Sequence, residues 1–152
     1  MTYVMLICIP EQYKCSVKPM LLPCEIAVKS VVPSIRAFIA IELTQSHKMK
    51  QNDVADILGI TQTAISKYKR QVRGTVIKIN DSEEIRSMVQ QITNQIADKK
   101  ISRQDLALKF CQLCKIARRN GLMCPLCKRT DPTIDIKICQ TCKSVSLDCK
   151  SL

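Results

Sequence analysis

The stretch QNDVADILGITQTAISKYKR, residues 51–70, decides how the whole chain is read. Val54, Ala55, Ile57 and Leu58 give one buried side to a short helix spanning Gln51 to Leu58. Gly59 then stands where a helix end needs a residue that tolerates left-handed backbone. Thr61 is placed to cap a second helix, which is expected to run through Ile65 and Tyr68 to about Val72. Ala55 is small where the two helices cross, and Ile65 anchors the second one in a core. Val54, Leu58, Ile60 and Tyr68 complete the apolar wedge. These are the steric demands of two short helices packed across a tight turn.

What the pair turns outward is basic and amide-bearing. Lys67, Lys69, Arg70, Arg73 and Lys78 follow one another with no acidic residue between them. The chain as a whole carries 24 Lys and Arg against 13 Asp and Glu, a formal charge of +11 over 152 residues. Clustered cations gain free energy by releasing the counterions condensed on phosphates, so the expected partner is double-stranded DNA. In a helix-turn-helix the second helix enters the major groove with its outward N-terminal residues at the base edges. Here those are Gln62, Thr63, Ser66 and Lys67, with the cap Thr61 also counted among the DNA-binding residues. Gln62 can pair bidentately with adenine and Lys67 can donate to guanine, so these two are the first choice for sequence readout. Gln51, Lys69, Arg70 and Arg73 are expected on phosphates, where they position the protein without choosing a sequence.

Around this centre the patterning predicts an all-α chain: a DNA-binding domain over 20–80, a helical linker or dimerisation region over 81–110, and a cysteine-rich metal-binding tail over 111–152. A helix from about Val32 to Gln45, with Ser30 as cap and Pro33 in its first turn, precedes the central pair. Arg73-Gly74 ends the pair, and Thr75 to Ile79 reads as an extended link or turn of strand. Ser82 opens a fourth helix in which Ile85, Val89, Ile92 and Ile96 form a seam, equally suited to a core or to a contact between subunits. Ser102 opens a fifth, through Leu106, Leu108, Phe110 and Leu113, closed by Asn120-Gly121. Residues 1–19 fit neither period and read as an arm, with Met20 a plausible alternative start.

Ten cysteines would suit a secreted disulfide scaffold only with an export signal, and the apolar run Val4–Ile9 is too short for one and is broken by Pro10. No stretch approaches a membrane span. A reducing cytoplasm is therefore expected, where paired cysteines serve as metal ligands. Three C-x-x-C pairs, Cys111/Cys114, Cys124/Cys127 and Cys139/Cys142, are followed by Cys149, and two such pairs complete a four-thiolate site. The first two pairs, close together across a Gly-containing turn, give the strongest metal signal, with Cys24 as a possible further ligand. Cys8 and Cys15 read as thiols of the arm. A tail this poor in large apolar side chains is expected to need a staple rather than a core of its own. Zinc as that staple and an iron–sulfur cluster as a sensor are equally served by thiolates. A redox dithiol is disfavoured for want of a βαβ unit. No catalytic constellation appears, and His47, the sole histidine, reads as a loop residue.

The run from Pro23-Cys24-Glu25 through Pro33-Ser34-Ile35-Arg36 to Gly59-Ile60-Thr61-Gln62 and Lys67-Tyr68 resembles archaeal helix-turn-helix transcriptional regulators of the phage-repressor-like class. The likeness covers about residues 22–75. It implies a homodimer that binds an operator in archaeal cytoplasm. Similar DNA-binding halves are fused to a thiamine-phosphate-synthase-like domain, for which this chain is too short. Two other readings stand beside it: a zinc-stapled adaptor for a protein of the transcription machinery, and a small iron redox protein.

Overall fold

The computed structural model describes residues 22–72, 74 and 76–144, and among these the chain is all-helical, with no strand. The arm, Cys8, Cys15, Met20, Arg73, Thr75 and Cys149 lie outside the described residues. The helices are α1 (Pro23–Lys29), α2 (Val31–Gln45), α3 (Gln51–Leu58), α4 (Gln62–Lys69), α5 (Glu83–Ala97), α6 (Arg103–Arg119), α7 (Cys124–Thr130) and the short α8 (Thr141–Ser144), with a 3-10 turn at Ile79–Asp81. No helix among the described residues is long and apolar enough to cross a membrane.

α2 is the hub, packed against α1, α3, α4, α5 and α6. A helix surrounded on this many sides cannot keep one polar face. Val31, Ile35, Ile39 and Leu43 are fully buried, and Ser34, Ala37 and Ala40 are small where neighbours come close. One continuous core runs from Ala27 to Met123. The α5 seam of Ile85, Val89, Ile92 and Ile96 is buried within the chain, against α2 and α6. Its apolar surface is therefore used inside the subunit.

Several helix ends follow from local chemistry. Thr61 Oγ1 accepts from Ala64 N at 3.2 Å, and Ser102 Oγ accepts from Asp105 N at 3.0 Å. Gly59 takes φ 62°, and Ile60 N then closes α3 by donating to Ala55 O at 3.0 Å. Gly121, at φ 71°, closes α6 in the same way, through Leu122 N to Ala117 O at 3.0 Å. Thr61→Ala should cost about 1 kcal/mol in urea unfolding. Thr61→Ser should cost much less, and equal losses for the two would exclude the hydroxyl cap as the cause.

Four expectations need correction. α4 stops at Lys69 rather than Val72, because Gln71 itself turns left-handed at φ 56° and Val72 N donates back to Lys67 O at 3.0 Å. Ser30 does stand at the N-cap position of α2, but its side chain makes no capping bond: α1 ends just before it, and Ser30 Oγ donates instead to Ile26 O at 2.6 Å. Of the expected extended link or turn of strand, the strand alternative fails: residues 76–78 lie in no strand, and Ile77 and Ile79, the latter opening the 3-10 turn, are buried. The start of the tail does have a core to use: Met123 is fully buried, and Leu122, Leu126 and Cys127 pack against the same cluster. Further on, packing lapses, with Ile138 74% exposed.

Candidate functional site

α4 is held by its inner face. Ala64, Ile65 and Tyr68 are buried against α2 and α3. Residues three and four apart share a helix face, so fixing these three decides where the others point. Gln62, Thr63, Lys67 and Lys69 are exposed, Ser66 is half-buried, and Arg70 is exposed at the helix end with Nε 3.5 Å from Ser66 O. Thr61 is exposed at the cap, and Gln51 is half-buried at the start of α3. Eight of the nine expected DNA contacts thus lie among the described residues, on α4 and its approaches, while Arg73 lies outside them. No acidic residue stands in the first turn of α4, and Lys67 and Lys69 stand in its last. The exposed acids nearest in sequence, Asp53 and Asp56, are three apart on α3, and Asp56 borders a cavity beneath α6.

That cavity, about 770 Å³, is walled by α2, α3 and α6 and lined mainly by apolar groups such as Val32, Ile57, Leu106 and Phe110, with Arg36, Arg103 and Lys115 among them. Cys111 and Cys114 border it. The first cysteine pair lies in the middle of α6, where an i, i+3 spacing aims both thiols to one side of a continuous helix.

The other two pairs line a different cavity. Cys124 and Cys127 occupy the first turn of α7, and Cys139 and Cys142 flank the start of α8. All four line one cavity of about 350 Å³, together with Pro23, Gly121, Ile134, Ile136, Thr141 and Arg118. The second and third pairs thus share a cavity, whereas the strongest metal signal in the sequence lies at the first and second. Cys24, exposed on α1, and Cys142 are both near enough to Cys114 to raise its pKa. Among the described residues, no three His, Cys, Asp or Glu side chains stand around a single point as metal ligands.

The thiols differ in their chemistry. Burial is the main reason Cys114 sits above the usual thiol pKa, with the Arg118 charge opposing it. Burial also raises Cys127, helped by the neighbouring Cys142, Cys124 and Cys139. Cys139 is lowered, because the Thr141 hydroxyl 3.5 Å away and the Thr141 backbone can both donate to its thiolate.

Arg118 escaped the sequence reading. It lines both cavities, only 8% of it is exposed, and its Nε has no hydrogen-bond partner. The available signal was a cation directly after the buried run Ile116-Ala117, four residues beyond Cys114. Its neighbour Arg119 faces the surface, where Nη2 meets Glu84 Oε1 at 2.7 Å and links α6 to α5. Half-exposed on both sides, that pair contributes little stability. His47 lies in the bend between α2 and α3.

No protein-family model matches this chain, and neither curated proteins nor solved structures yield a match.

Proposed function

We propose that this protein is a sequence-specific DNA-binding transcriptional regulator that reads a duplex with α4. The observation that carries this reading is the division of that helix into a locked inner face, Ala64, Ile65 and Tyr68, and an outer face of Gln62, Thr63, Ser66, Lys67 and Lys69 without a carboxylate. α3, the turn through Gly59 and α4 then act as a helix-turn-helix. α4 lies in the major groove, with Gln62 and Lys67 at base edges and Lys69 and Arg70 on phosphates. The short turns at both ends of α4 fix the direction of the helix, so the ordering cost of binding falls on the exposed side chains rather than on the backbone. Two subunits would place their reading helices in half-sites about 34 Å apart. Regulation follows from occupancy of the operator, which blocks or recruits the transcription machinery.

Selection of bound sequences from a randomised duplex pool tests this, followed by affinity measurements over a salt series. A recurrent motif should emerge. Lys69→Ala and Arg70→Ala should each weaken specific and random duplex alike, and each should reduce the salt slope by about 1. Failure to retain any duplex at low salt would exclude the reading.

A further inference from the structure

We propose that Cys124, Cys127, Cys139 and Cys142 hold one four-thiolate metal centre, a zinc ion or an iron–sulfur cluster, and that Arg118 is its buried counter-ion. The proposal stands apart from DNA reading by α4 and can fail without it. Its first support is convergence: two C-x-x-C pairs from separate segments face the same cavity. Each pair has the spacing that lets two sulfurs reach one metal, and two pairs complete a tetrahedron.

The second support is independent of the cysteines. A guanidinium removed from water is costly unless an anion faces it. Arg118 is more than nine-tenths buried with Nε unpartnered, yet no Asp or Glu lines this cavity among the described residues. The groups around it that can become anionic are the four thiols of this cavity and Cys114, on which its charge already acts. Four thiolates around a divalent ion leave a net charge of about −2, which an adjacent buried cation offsets.

Gly121 adds room beside the site. A Cβ there would come within 3.4 Å of Cys124 Sγ, and its φ of 71° disfavours any side chain. The sulfurs border the cavity without meeting at one point. Loading therefore draws the α7 and α8 segments together, and metal affinity becomes folding free energy of the tail. Ile138 and Ile136, poorly covered between the two pairs, belong to the segment that closure would order. Cys114, near Cys142 but on the far cavity, is the rival ligand.

The full-length protein, purified without oxygen, should contain one centre per chain. Zinc in a colourless protein identifies the ion, and iron with sulfide in a brown protein identifies the cluster. Absence of both after purification and after anaerobic reloading with either would overturn the proposal. Iodoacetamide labelling read by mass spectrometry should show Cys124, Cys127, Cys139 and Cys142 protected until a chelator is added, with the exposed Cys111 labelled throughout and the half-buried Cys114 labelling at a rate that the chelator does not change. Because this uses the unaltered chain, it does not depend on a variant folding. Protection of Cys111 and Cys114 that a chelator releases, in place of Cys139 and Cys142, would overturn the ligand assignment. Arg118→Met should lose metal to a competing chelator at least tenfold more readily, and Arg118→Lys should recover part of that loss. Unchanged competition in Arg118→Met would remove the counter-ion role.

Discussion

Replacing Gln62 and Lys67 together by alanine should abolish the preference for the selected motif while leaving binding to random duplex only modestly weakened. Each base-edge contact is worth about 1–3 kcal/mol of discrimination, so the pair should remove between about thirtyfold and ten-thousandfold of specific affinity. Neither side chain is buried, and neither supports the core that orients α4. Thermal stability should therefore stay close to that of the parent, which separates lost readout from lost structure. Competition assays with motif and scrambled duplex check this directly. Parallel losses on both duplexes would move Gln62 and Lys67 from readout to phosphate anchoring.

The second large effect concerns a glycine outside α3 and α4. Gly74→Ala should destabilise the protein by about 2–4 kcal/mol, whereas Gly59→Ala should cost only about 1 kcal/mol. Both glycines are left-handed, at φ 81° and 62°, so each loses by gaining a Cβ. Only at Gly74 does that Cβ meet matter: it would fall 2.5 Å from Ala37 Cβ, 3.2 Å from the Pro33 carbonyl and 3.3 Å from the Tyr68 ring. At Gly59 nothing lies within 4 Å. Gly74 therefore marks where the chain leaving α4 crosses the first turns of α2 in close contact. Equal denaturation midpoints for the two variants would disprove that close approach. Since Tyr68 anchors α4, Gly74→Ala should also lower DNA affinity, in proportion to the unfolded fraction.

Features set by nearest neighbours were legible in the sequence. The bounds of α3, the left-handed Gly59, the caps Thr61 and Ser102 and the Asn120-Gly121 end of α6 each depend on a few adjacent atoms. Such signals need no knowledge of what packs where. The all-helical class came from apolar spacing in the same way. Left-handed ends at Lys48, Gln71 and Lys99 were not legible, because these residues carry no backbone preference that marks them. They are set by the helices on either side. The same holds for α1, whose seven residues bury only Ala27 and so show little stripe.

For the candidate sites the division is sharper. Local spacing identified which side chains of α4 are presented outward and which cysteines come in pairs. Packing decided which cavity each pair lines, because α6 continues as one helix through Cys111 and Cys114 and sets them beside a different cavity from the other two pairs. Packing also placed the α5 seam inside the subunit and turned Arg118 into a buried cation facing thiols. Sequence alone settles what depends on bonded neighbours and helical period, whereas partners distant along the chain are chosen only when the core closes, since burial rewards the whole arrangement rather than any single segment.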